Sequence, residues 1–121
     1  MALHSHPPLV ELEQIGAATV ARLARSDLLD DKTINALGNQ LLHLVQERNC
    51  RLLILNFKNV ERLASAFLGK IIGVHKNLQA AGGRLALCNV DPRLKDAFET
   101  LQLHRLFRIF NDEQEALQSM Q

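Results

Sequence analysis

The chain has no tryptophan and no tyrosine, and only five phenylalanines. Exposed aromatic platforms for nucleobases or sugars are therefore not expected. It has two cysteines, Cys50 and Cys88, in neither a redox nor a zinc-binding spacing, so both read as buried or half-buried small hydrophobes. It has no excess of charge: 14 Lys+Arg stand against 13 Asp+Glu, a formal net charge of +1. That balance argues against a surface that holds nucleic acid or anionic membrane by bulk charge. No apolar run approaches the length of a membrane span, and no apolar leader follows Met1, so a cytoplasmic protein without membrane insertion is expected. Nor is there a Gly-rich phosphate loop, a G-x-S-x-G elbow, or a histidine and carboxylate at a recognisable catalytic spacing. A non-enzyme without cofactor or metal is the expectation. His4 and His6 sit ahead of Pro7-Pro8 in a loose lead-in, residues 1–8, where they would bind metal only weakly.

What the chain does have is a core. Its 121 residues are 47% hydrophobic and 22% charged, enough for one ordinary domain over residues 9–121. Val10 and Leu12 alternate with Glu11 and Glu13 in a half-buried strand, Gly16 punctuates it, and Ala18 to Leu23 completes a hairpin. Ser26, Asp27, Asp30 and Asp31 are candidate caps for the helix that follows, whose stripe is Ile34, Leu37, Leu41, Leu44 and Val45. His43 reads as a surface residue of that helix. Leu52 to Leu55 form a strand buried on both faces. Leu68, Ile71, Ile72, His75 and Leu78 make a second helical stripe that ends at Gly82-Gly83, with His75 a satisfied, partly buried residue at its edge. Arg84 to Asn89 is another strand. Asp91-Pro92 opens a third helix with the stripe Leu94, Ala97, Phe98 and Leu101. Leu106 to Phe110 is a last strand, and Asn111 or Asp112 caps a last helix with Ala116, Leu117 and Met120. The order β-β-α-β-α-β-α-β-α predicts an α/β fold: a mixed, mostly parallel sheet of about five strands with about four helices.

The stretch from Lys58 to Gly69 joins the buried strand to the second helix, at the sheet edge where α/β proteins present backbone N–H groups to ligands. It holds one hydroxyl, Ser65. One reading makes Ser65 the helix N-cap, worth about 1 kcal/mol. The other makes it a regulatory phosphorylation site, because phosphate at a helix N-terminus meets unpaired N–H groups and the positive end of the dipole.

At these residues the chain resembles the STAS family, the sulfate-transporter and anti-sigma-factor-antagonist domain. The similarity covers nearly the whole chain and is carried by Leu52-Leu53-Ile54-Leu55-Asn56-Phe57, Val60-Glu61, Ser65 with Leu68-Gly69, Lys76 through Ala81-Gly82-Gly83, Leu85 to Asn89, Asp91-Pro92, and Leu106 to Phe110 with Asp112-Glu113 and Ala116-Leu117. In the family's bacterial antagonists the loop reads Asp-Ser-Ser/Thr-Gly-Leu-Gly, and its first serine is phosphorylated by an anti-sigma kinase; the unphosphorylated domain binds that kinase and frees a sigma factor. The resemblance places Ser65 at the phosphorylated position. Asp30 resembles the family's aspartate ahead of the first long helix, close to that serine in space. It implies a regulator whose partner is an anti-sigma factor or serine kinase-like protein, contacted through Asp30, Ala64, Ser65, Ala66, Phe67, Lys70 and Asp91.

The chain departs from the family's loop at three positions. Ala64 replaces the acid before the serine, Ala66 follows it, and Phe67 stands where the family has glycine. Phe67 would anchor an interface if exposed; it is expected to point inward, since it precedes the stripe that starts at Leu68. The alternatives to a switched regulator are a constitutive scaffold subunit of a signalling assembly, homo-oligomeric or larger, and an accessory STAS subunit of a membrane transporter.

Overall fold

A computed structural model describes residues 8–120, so the lead-in expected at 1–8, with His4 and His6, lies almost wholly outside the described residues. Strands β1 (Val10–Ile15) and β2 (Ala18–Leu23) form the expected antiparallel hairpin across Gly16-Ala17, with Ile15 opposite Ala18. Next come the two-residue strand β3 (Asp27–Leu28), helix α1 (Asp31–Gln46), strand β4 (Leu52–Asn56) and the two-residue strand β5 (Arg62–Leu63). Helix α2 (Ser65–Ala80), strand β6 (Arg84–Cys88), helix α3 (Pro92–Thr100), strand β7 (Arg108–Phe110) and helix α4 (Glu113–Met120) complete the chain. The main sheet has the order β1-β2-β4-β6-β7, parallel except at β1. The expected mixed, mostly parallel sheet of five strands with four helices is what the chain forms.

Alternation along the strands builds two cores. Ala21, Leu23, Leu53, Leu55, Leu85 and Leu87 pack with the stripes of α1 and α2 on one face. Ala18, Val20, Ile54, Ala86 and Cys88 pack with Ala116 and Met120 of α4 on the other. The second face closes with a polar clamp. Arg22 donates through Nε and Nη2 to both carboxylate oxygens of Glu113, at 2.7 and 2.8 Å, while its Nη1 reaches Glu13. Asn56, 7% exposed, donates to Glu113 and accepts the backbone N–H of Lys58 at 2.8 Å. The Arg22 guanidinium holds the Glu113 carboxyl below the ordinary range. Both cysteines are buried, as expected, and burial pushes the Cys88 thiol up to about 12.

Three readings of the sequence need correction. The last strand is shorter than Leu106 to Phe110, because a single 3-10 turn (Leu103–Arg105) precedes it; Leu103 and Phe107 are buried one helical turn apart and Leu106 is 46% exposed. In α3 only Leu94 and Phe98 are buried, whereas Ala97 and Leu101 lie on the surface, since Leu101 is the C-cap and nothing covers it. His75 is buried but not satisfied: its ring stands edge-on to Phe107 at 5.2 Å, and Nδ1 has no hydrogen-bond partner among the described residues. Other expectations hold. His43 is exposed, Asp30 and Asp91 cap α1 and α3, and the Asp112 carboxylate accepts the Glu115 N–H at the start of α4.

Helix α2 ends at the two glycines. Gly82 takes φ +79°, and the Gly83 N–H bonds back to Leu78 O at 2.7 Å. A Cβ on Gly83 would lie 2.4 Å from the backbone oxygen of Arg51, whereas one on Gly69, within α2, would meet nothing. Gly83→Ala is therefore expected to destabilise the fold by roughly 3 kcal/mol in urea titration. Gly69→Ala is expected to stabilise it by about 0.5–1 kcal/mol.

Burial depresses the His75 pKa from 6.5. Well above pH 6.5 the ring is neutral both folded and unfolded, and it adds no pH dependence. As pH falls below 6.5 the unfolded chain takes up the proton first, so stability falls toward the lower folded pKa. The urea midpoint of the native chain should drop between pH 7 and pH 5, and His75→Leu should flatten that slope.

Candidate functional site

The expected site forms where β4 hands the chain to α2. Between them the backbone is pinned by β3 and β5, which run parallel, Asp27 beside Arg62 and Leu28 beside Leu63. Ser26 O accepts the N–H groups of Glu61 and Arg62 at 2.8 and 3.1 Å, and Leu28 O accepts that of Ala64 at 2.9 Å. Asp27 and Arg62 add an exposed bidentate pair, at 2.6 and 3.1 Å, that lowers the aspartate pKa. Asp30 lies two residues beyond Leu28 and Ser65 one beyond Ala64, so this ribbon sets the starts of α1 and α2 side by side.

The two helix starts are built differently. At α1, Asp30 is extended and its Oδ2 accepts the Thr33 N–H at 2.9 Å, which holds its carboxyl below the usual range; the charge of Arg25 adds to this. At α2 the N-cap is Ala64, with φ −87° and ψ 152° and no side-chain hydrogen bond. Ser65 is thus the first helical residue and not the cap. The reason is the ladder: the bond to Leu28 O holds Ala64 extended, so the capping conformation falls one residue before the hydroxyl. No acid stands in the first turn of this 16-residue helix, so nothing there offsets its positive pole.

Ser65 and Ala66 are exposed. Ser65 lies in an open groove of about 290 Å³ with Leu63, Leu68, Ala97, Thr100 and Leu101, the last 49% exposed. Phe67 points inward as expected, 0% exposed, with its ring 6.4 Å from that of Phe57; it supports the loop and offers no surface. Lys70 is directed to α1, where its stem lies over Gly38, 3.0 Å from where a Cβ would be. Asp91 caps α3 and is held by the Arg93 side chain and N–H, which together bring its carboxyl to about 2. Glu61, in the loop before β5, lies near enough to Arg62 and Arg93 for its charge to be felt weakly by both, which sets the Asp91 corner beside the ribbon. The fold therefore gathers Asp30, Ala64, Ser65 and Ala66 on one edge, with Asp91 flanking it and Lys70 directed to the α1–α2 seam. Sequence reasoning missed Leu63, Thr100 and the exposure of Leu101; only the position of Leu101 at the very end of its stripe could have signalled it. Among the described residues no group of three His, Cys, Asp or Glu is placed to hold a metal, and no helix is long and apolar enough to cross a membrane.

The model of the STAS domain matches residues 10–116. The chain belongs to the STAS domain family. Its sequence is 29% identical over 112 residues to an anti-sigma F factor antagonist of Paenibacillus polymyxa, covering 93% of this chain and 94% of that one. The fold superposes on an anti-sigma-factor antagonist (STAS) domain protein of Planctomyces limnophilus with a TM-score of 0.83 at 19% identity, over 93% of this chain and 97% of that one. It also superposes on the phosphorylated form of the Bacillus cell fate determinant SpoIIAA, with a TM-score of 0.72 at 21% identity over 93% and 99% of the two chains. The fold is thus the one that these antagonist proteins share.

The capping assignment has a direct test in stability. Asp30→Ala should cost about 1 kcal/mol in urea unfolding. Ser65→Ala should stay within about 0.5 kcal/mol of the native chain, since no cap is lost.

Proposed function

We propose that this STAS domain is a non-enzymatic cytoplasmic regulator that works by docking an anti-sigma factor or serine kinase-like partner on the Ser65 edge, with Ser65 as its switch. The observation that carries this reading is the start of α2: an exposed hydroxyl on the first residue of an uncapped helix, beside the Asp30 loop and in an apolar groove. The partner surface comprises Asp30, Ala64, Ser65, Ala66 and the flanking Asp91, with Lys70 at its margin and Phe67 supporting it from beneath. An unmodified Ser65 leaves the groove neutral and lets a partner seat on Leu63 and Leu101. A phosphate there brings about two negative charges, which the positive pole of α2 and its first-turn N–H donors would stabilise within the domain. A partner seated over the same spot would have to bury them.

Two measurements test this. Intact mass of the protein isolated from its own cells should show a fraction with one phosphate, mapped to Ser65, and a protein partner that accompanies only the unmodified fraction. With that partner in calorimetry, Ser65→Asp should weaken binding at least about tenfold, and Ser65→Ala should bind like the native chain. Equal affinity of the two variants would reject the switch. A partner bound while no phosphate appears in any growth phase would leave constitutive docking.

A further inference from the structure

A second groove lies away from the Ser65 edge, between the edge strand β1 and the C-terminal half of α1. Val10, Leu12 and Leu44 line an open trough of about 320 Å³ there, and Leu12 is 51% exposed. The trough continues into a second hollow of about 450 Å³, since Leu12, Leu44 and Arg48 line both. The second hollow is polar and is bounded by Arg48 and Arg51. None of the described residues lining either is acidic, and His43 lies on the rim of the trough.

The two arginines are not equivalent. Arg51 is engaged: its Nη1 donates to Val45 O and Cys50 O at 3.3 and 3.0 Å, and its Nη2 to Asn49 Oδ1. It thereby satisfies carbonyls at the end of α1 and offsets the negative pole of that helix. Arg48 is exposed, and its guanidinium makes no hydrogen bond or ion pair among the described residues. The groove therefore offers an apolar floor with an uncommitted cation beside it, and no carboxylate among its described lining residues to repel an anion. A site with that division matches a molecule divided the same way.

We propose that the β1–α1 groove binds a small amphipathic anion, an acyl carboxylate of medium chain length, with its alkyl chain on Val10, Leu12 and Leu44 and its carboxylate facing Arg48. A free molecule fits better than a membrane surface. The exposed acid Glu47 adjoins Arg48 at the end of α1, and an anionic bilayer laid over the groove would meet it as well as the cation. The site would give the domain a chemical input separate from the Ser65 edge, and it does not depend on the docking reading.

The test is an amide chemical-shift titration of the full chain with sodium octanoate, 1-octanol and sodium acetate. Octanoate should produce saturable shifts confined to residues 10–14 and 39–51, octanol should bind there about fivefold more weakly, and acetate should not bind measurably. Arg48→Gln should reduce octanoate to the affinity of octanol. Leu12→Gln should weaken both. Both substitutions are at exposed positions, so unchanged thermal midpoints would confirm that the variants fold. Absence of saturable shifts, shifts centred elsewhere, or equal affinity for octanoate and octanol would overturn the proposal. So would flotation with anionic phospholipid vesicles in the absence of octanoate binding.

Discussion

Strand β4 has apolar residues from Leu52 to Leu55 and is paired on both sides by parallel neighbours, β2 and β6. A strand so placed has no solvent face, so its side chains must fill two cores at once, Leu53 and Leu55 with α1 and α2, Ile54 with α4. Parallel pairing also forbids a hairpin at either end, so the chain must cross over a face to return. The crossover that leaves β4 contains Ser65. Phe57, one residue past the strand and fully buried, sets where it goes: its ring meets Phe67 of α2 at 6.4 Å and Phe98 of α3 at 6.0 Å. The start of α2 and the face of α3 beside it, which together make the Ser65 groove, are thereby registered to the centre of the sheet.

The same end of β4 anchors the opposite face through polar chemistry. Asn56 is nearly buried, and both ends of its side-chain amide are engaged, the nitrogen donating to Glu113 and the oxygen accepting the Lys58 N–H. Each buried group that lost its partner would cost about 1–3 kcal/mol. Glu113 in turn completes the guanidinium of Arg22, which also holds Glu13 on β1. One carboxylate on the first turn of α4 thus joins β1, β2 and β4. An apolar cluster as small as that around Ala116 and Met120 gains its orientation from this clamp, because hydrophobic contact is not directional.

The main sheet and its helices were legible because they depend on periodicity, which is a property of residue order. Leu52 to Leu55 could only be a buried strand, and Asp91-Pro92 could only open a helix. What could not be read depends on partners distant in the chain. Strands β3 and β5 have two residues each, too few for alternation to register, and exist because Asp27-Leu28 finds Arg62-Leu63. That pairing decides the conformation of Ala64, and hence that Ser65 starts the helix without capping it. The site was therefore legible in its residues but not in its local geometry. The stripe of α3 failed for a related reason: helical spacing shows which residues share a side, not whether another element covers it, and Ala97 and Leu101 are left open.

The substitutions around Ser65 make physical sense under the proposed reading once that geometry is known. A carboxylate at position 64 would do what Asp30 and Asp91 do at their helices, accepting first-turn N–H groups and neutralising the dipole. Alanine offers the first-turn N–H groups no side-chain acceptor, although that of Phe67 is bonded to Ala64 O at 2.9 Å, and it removes the like charge that would oppose a phosphate at Ser65. Phe67 compensates for the missing cap by a different route: a fully buried ring one turn into the helix fixes the entry of α2 by packing where a cap would fix it by hydrogen bonds. The helix start is thus held by core contacts and by the ladder to Leu28, while no side chain caps it. A surface of that kind can change its charge without changing its shape, so docking would respond to the charge on Ser65 alone and not to any rearrangement of the fold.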